Sequence, residues 1–151
     1  MKIKRFINSV LACAMVCTAV PYVSYSVSEN ISITANAATY TKGTYESLTY
    51  KAYADYVEIS DCNTSATSVV IPSEIDGLPV TVIGNDAFRG CSALKSITIP
   101  ECVTSIGKNT FSFCDSLKEV IFKGRTLEEV KQMKDYPFGI KDESIIKCEM
   151  W

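Results

Sequence analysis

The sequence predicts a mainly β solenoid, and three observations predict it. The stretch from Val82 to Pro100, VIGNDAFRGCSALKSITIP, returns from Ser105 as SIGKNTFSFCDSLKEVIFK at an offset of 23 residues. Ile83, Gly84, Phe88, Cys91 and Leu94 fall on Ile106, Gly107, Phe111, Cys114 and Leu117. A fixed period in the twenties with apolar residues held in register is the mark of stacked rungs, each burying one face against the next. Secondly, Ile97/Ile99 and Val120/Phe122 alternate with Ser96/Thr98 and Glu119/Ile121, a period of two that puts one face of a strand in a core. Thirdly, proline and glycine punctuate these runs at equivalent places.

In chain order, residues 1–37 read as an export signal. Lys2, Lys4 and Arg5 open it, an uncharged stretch runs from Phe6 to Ser28, and Ala35-Asn36-Ala37 supplies the small residues at which cleavage is expected. The apolar centre, Val10 to Val23, is too short to span a bilayer comfortably. The rival readings are an uncleaved anchor and a lipoprotein attached at Cys13. Residues 38–47 are expected to be a linker and residues 48–151 the repeat domain. Leu48–Ala52 and Tyr56–Ile59 read as a hairpin capping the front. Ser68 to Pro72, SVVIP, matches Ser96 to Pro100, SITIP, at an offset of 28, lengthened by the turn-forming Asp76-Gly77-Leu78-Pro79. Pro72 and Pro100 close their strands, since proline cannot donate to the next ladder bond. Val80–Ile83 and Val103–Ile106 are short second strands. Each ends in a glycine, Gly84 or Gly107, where a positive φ would let the chain turn. Phe88/Cys91/Leu94 and Phe111/Cys114/Leu117 are expected to plug the interior from an irregular third side. At the back, Thr126 and Glu129 form a capping box for a helix carrying Leu127, Val130 and Met133 on one face. Asp135 to Gly139 stops it, and Ile145–Cys148 supplies a last strand.

Composition narrows the function. A length of 151 residues suits one domain. The chain has no histidine, which removes Ser-His and Cys-His nucleophile pairs and His-containing zinc sites. Its net charge is −2, and loss of residues 1–37 removes three basic residues against one acidic, so a nucleic-acid partner, which needs a basic face, is not expected. No calcium loop or Gly-rich phosphate loop is present, and no cofactor or metal is expected. Cys13 and Cys17 leave with the signal. Cys62, Cys91, Cys102, Cys114 and Cys148 remain, an odd set in a chain bound for an oxidising compartment. Cys91 and Cys114 are expected to be buried small hydrophobes, with Cys62 continuing their column one residue out of register. A Cys102–Cys148 disulfide is conceivable, but nothing in the sequence pairs them.

The strings IGNDAFRGCSALKSITIP and IGKNTFSFCDSLKEVIF resemble the leucine-rich repeats of the BspA-like type found in bacterial surface proteins. The insertion IDGLPVTVIG and the ending TLEEVKQMKDYPFGIKDESIIKC are also similar to exported members from anaerobic Firmicutes. The resemblance covers about residues 48–148. It departs from the usual pattern at Thr110, where Ala is usual, at Phe113, where Gly is usual, and at Cys102. It implies a right-handed leucine-rich-repeat solenoid with hairpin and helix-strand caps, secreted or held at the cell surface.

Solenoids recognise partners through extended faces. With Ile97/Ile99 and Val120/Phe122 inward, the outer face presents Ser68, Val70, Ser96, Thr98, Glu119 and Ile121 as a continuous ribbon. The expected function is non-catalytic binding of a host or community protein through that ribbon, by a monomer with no membrane span after signal cleavage. The alternative is carbohydrate or fibre binding through the tyrosine-rich front, Tyr40, Tyr45, Tyr50, Tyr53 and Tyr56, with Tyr45 and Tyr50 as the residues to test. No cluster of carboxylates supports an enzyme.

Overall fold

A computed structural model describes residues 39–150, and the expected export signal lies outside these residues. The chain begins with β1 (Thr41–Tyr45), β2 (Leu48–Ala52) and β3 (Val57–Cys62), a three-stranded antiparallel front cap. It then winds through β4 (Ser68–Val70), β5 (Glu74–Ile75), β6 (Leu78–Ile83), β7 (Ser96–Ile99), β8 (Ser105–Ile106) and β9 (Glu119–Lys123). The helix α1 (Leu127–Lys131), a 3₁₀ turn at Glu143–Ile145 and β10 (Ile146–Glu149) close the back.

Two sheets flank the core. One is parallel throughout, in the order β4, β7, β9, β10. The other stacks β3, β6 and β8 in parallel and carries β2 and β1 on its front edge. The alternation of β7 and β9 does what the sequence requires: Ile97, Ile99, Val120 and Phe122 are buried between the sheets. The third side has no strands but is laddered all the same. The N–H groups of Asp86, Phe88 and Gly90 donate to the carbonyls of Lys108, Thr110 and Ser112 one rung on. Phe88 and Phe111 stack there with ring centroids 5.7 Å apart. Thr110, at the place of Ala87 in the preceding unit, is fully buried, and its hydroxyl lies 2.7 Å from the Gly107 carbonyl and 3.2 Å from that of Gly84. A buried hydroxyl is tolerated where such partners exist.

Four sequence expectations are revised. Residues 38–47 are not simply a linker, because Thr41–Tyr45 is paired along its length with β2. Its burial follows no hydrophobic alternation, so nothing in the sequence marked it as a strand. Gly84 and Gly107 are not in the left-handed region; the positive φ values fall on Asp86 and Asn109, 57° and 53°, and on Gly90 and Phe113, 76° and 61°. The glycines are needed for close approach instead: a Cβ on Gly107 would lie 2.5 Å from the backbone N of Asn85 and 2.7 Å from its Cα. Asp76-Gly77 is more than a loop lengthener. With φ of 55° and 78° and Ile75 paired to Leu78, it is the two-residue turn of a hairpin made by β5 and β6. Finally, Cys114 and Leu117 are only half-buried, unlike Cys91 and Leu94, because the next turn does not cover them.

Beyond the last repeat the chain forms a loop rather than another rung. The capping box forms as expected, with Glu129 N–H donating to the Thr126 hydroxyl and Thr126 N–H to the Glu129 carboxylate. Val130 is buried, while Leu127 stays exposed. The segment that stops the helix then caps the third side. The carbonyl of Phe138 accepts from Phe111 N–H at 2.9 Å, and its buried ring meets Phe122 with centroids 6.3 Å apart. Arg125 ties this cap back one turn, donating to the carbonyls of Glu101 and Val103 at 2.9 and 2.8 Å.

Candidate interaction face

The parallel ladder sets the geometry of the ribbon. Ser68 pairs with Ser96 and Ser96 with Glu119; Val70 pairs with Thr98 and Thr98 with Ile121. The six residues expected to form one face therefore stand in two rows across three strands. Val70, 62% exposed, and Ser68 are the open members. Ser96, Thr98, Glu119 and Ile121 are half-buried by their neighbours. The hydroxyls of Ser68 and Ser96 lie 2.9 Å apart.

A fourth strand extends this face. β10 places Lys147 opposite Ile121 and Glu149 opposite Lys123. Lys147 pairs with Glu119 and Lys123 with Glu149, so these four charges are satisfied on the face itself. The Glu119 carboxylate holds the Lys147 ammonium above its ordinary pKa. Lys147 and Glu149 were missed as ribbon residues. The alternation Ile146/Cys148 against Lys147/Glu149 would have found them once β10 was read as a fourth strand of the parallel ladder.

The tyrosine-rich front is rearranged relative to expectation. Tyr50 is only 4% exposed, and its hydroxyl donates to Asp76 at 2.8 Å. Its ring lies over Gly43, where an added Cβ would come within 2.4 Å of it. Tyr50 is therefore a core residue and is not available to stack on a sugar. Tyr45 packs against the core and is half-buried. Tyr40, Tyr53 and Tyr56 form the surface group, with successive centroids 5.5 and 4.6 Å apart and the last two rings parallel within 12°. Lys51 sits 5.4 Å from the Tyr40 ring and 3.0 Å from Glu58. Burial, with Glu58 beside it, pushes the Tyr53 hydroxyl up to about 12.

The thiols show no activation. Burial pushes Cys62 up to about 12 and Cys114 up to about 11, and raises Cys91 as well. A nucleophilic cysteine needs the opposite shift. Neither Cys102 nor Cys148 is joined in a disulfide; the Cys102 thiol donates to the carbonyl of Ser73, in the first rung, at 3.4 Å, while Cys148 stands in the last strand. Among the described residues, no group of three or more Cys, Asp or Glu is placed to hold a metal ion, and no helix is long and apolar enough to cross a membrane.

Two solved structures are similar to this fold. A leucine-rich repeat protein from Bacteroides capillosus is 22% identical, with a TM-score of 0.54, over 72% of this chain and 99% of that one. A leucine rich cell surface protein from Faecalibacterium prausnitzii is 24% identical, with a TM-score of 0.51, over 72% of this chain and 30% of that one. No curated protein matches the chain in sequence. The family described as the BspA type leucine-rich repeat region matches residues 58–145 in six copies, reaching from β3 to the last 3₁₀ turn. With more than half of the chain matched and its rungs stacked as repeats, the chain belongs to the BspA-type leucine-rich repeat family.

Proposed function

We propose that the protein is a secreted or cell-surface module that binds a protein partner, without catalysis, through the outer face of β4, β7, β9 and β10. The observation that carries this reading is the in-register row Val70–Thr98–Ile121, continued by Lys147 on a rigid ladder. Such a row offers a partner a pre-ordered surface, which lowers the entropy cost of association. The charges beside it are already paired to each other, so the open part of the face is hydroxyl and aliphatic. The burial of Tyr50 weakens the carbohydrate reading, which would now rest on Tyr40, Tyr53 and Tyr56.

The test is capture of host or community surface proteins by immobilised protein, comparing the unmodified chain with Val70→Asp, Thr98→Asp and Ile121→Asp. Binding should fall at least tenfold in the substituted forms while circular dichroism stays unchanged. Equal capture by folded variants rejects the ribbon. Retention of the unmodified protein on insoluble polysaccharide, lost in Tyr53→Ala, would support the tyrosine-rich front instead.

A further inference from the structure

The cysteine column contains a pair whose placement the binding role does not use. Cys62 ends β3, the last strand of the front cap, and Cys91 lies on the third side of the following rung. They are 29 residues apart in the chain, and the Cys91 thiol lies 3.9 Å from the carbonyl oxygen of Cys62. Both are buried, and the Cys62 thiol itself lies 3.6 Å from the carbonyl of Asn63. Cys114, one rung on, is arranged differently: its thiol donates to the Phe88 carbonyl at 3.0 Å. Strands of adjacent rungs are spaced by roughly 4.8 Å, and a disulfide bridges Cα separations of about 4.4–6.8 Å, so equivalent positions one rung apart are within its reach. By the offset of 28 between β4 and β7, Cys62 stands one residue from that register.

We propose that Cys62 and Cys91 are a disulfide site, closed by a small-molecule disulfide such as oxidised glutathione, which staples the front cap to the rung behind it. One thiolate attacks the glutathione disulfide and releases one glutathione. The partner thiolate then attacks the resulting mixed disulfide and releases the second. Two protein thiols are oxidised to one S–S bond, and the oxidant is reduced to two glutathione thiols. Buried thiols react slowly, so closure occurs while the chain folds or when the cap opens locally, not in the closed native state. The position gives the bond a physical consequence. In a solenoid each rung touches only its neighbours, so an end unit can detach while the rest stays folded. A bond from β3 to the next rung removes that route at the front.

The test uses the full chain, unfolded in denaturant and refolded in a redox buffer of reduced and oxidised glutathione, then alkylated and digested with trypsin. Cleavage after Lys51, Arg89 and Lys95 puts Cys62 and Cys91 on separate peptides, 52–89 and 90–95, and the other three cysteines of the repeat domain on three more. The expected result is a dominant cross-link between peptides 52–89 and 90–95, a protein lighter by two hydrogens, and a Tm several degrees above that of the reduced form. Refolded protein in which Cys62 and Cys91 remain alkylatable, or in which either is joined mainly to Cys102, Cys114 or Cys148, overturns the proposal. Cys62→Ala should abolish the cross-link. If that variant does not fold, the triple variant Cys102→Ala/Cys114→Ala/Cys148→Ala decides, because it leaves only this pair in the repeat domain and should still give the cross-link between peptides 52–89 and 90–95; its absence there overturns the proposal.

Discussion

Gly107 and Gly77 separate two uses of the same residue. At Gly107 the backbone conformation is ordinary and the space is missing, because a methyl group would strike the backbone of Asn85, which cannot move aside as a flexible side chain would. At Gly77 the space is open, but φ is +78°. Gly107→Ala should therefore cost about 3 kcal/mol, at the upper end for overpacking, and Gly77→Ala about 1 kcal/mol. Urea denaturation of both variants checks this, and a smaller loss at Gly107 than at Gly77 would show that the rungs can slide apart. The sequence showed that a glycine recurs every 23 residues but not why. A repeat reports that a residue is required at a place, and both a turn and a close contact require glycine. Phe113 carries the complementary lesson. It holds φ at +61° where Gly90 holds +76°, stays 57% exposed, and faces Arg89 at 5.4 Å from its ring. The left-handed position belongs to the repeat, and an aromatic side chain accepts it there.

Among the elements, the strands of the repeats were legible because each has a buried face that writes a period of two into the sequence. β1 was not legible, since its strand character comes from pairing with β2 and from the ring of Tyr50 over Gly43. Tyr50 itself was misplaced for the same reason: a tyrosine in a hairpin reads as surface until its partner, Asp76 in a distant turn, is known. The placement of six residues on one side of the ladder was legible, while Lys147 and Glu149 were missed because their register follows from the stacking of β10. The back cap was readable in detail because a capping box is local. Its helix has only five residues, too short to persist without its cap and the buried Val130. Thr126→Ala should cost about 1 kcal/mol. Thermal unfolding checks this, and Thr126→Ser should restore most of the loss.

For the whole molecule, the buried thiols and two tyrosines predict how stability depends on pH. Cys62 and Cys114 rise from an ordinary 9 to about 12 and about 11, and Tyr53 and Tyr136 from 10 to about 12, each chiefly through burial. From pH 9 upward the unfolded chain loses these protons while the folded chain keeps them. The unfolded state then binds fewer protons, so this stability is complete below pH 9 and is lost as pH climbs toward 11 to 12. Urea midpoints of the reduced protein should hold level below pH 9 and fall steadily from pH 9 toward about 11. Cys62→Ala should flatten the slope, and an unchanged slope would mean that the thiols are not what titrates.

The 23-residue step also makes length an adjustable quantity. Asn85 Oδ1 accepts from Lys108 N–H, Thr104 N–H donates to the carbonyl of Thr81, and Gly107 N–H to that of Ile83, just as Gly84 N–H donates to that of Ile59 one unit earlier. A duplicated unit spliced between Gly84 and Gly107 would meet familiar neighbours on both sides and leave the two ends untouched. Each such copy would lengthen the outer face by roughly 4.8 Å. Reach in this architecture can thus change by whole steps without redesign of either terminus, whereas a closed barrel would have to alter its circumference and every pairing around it.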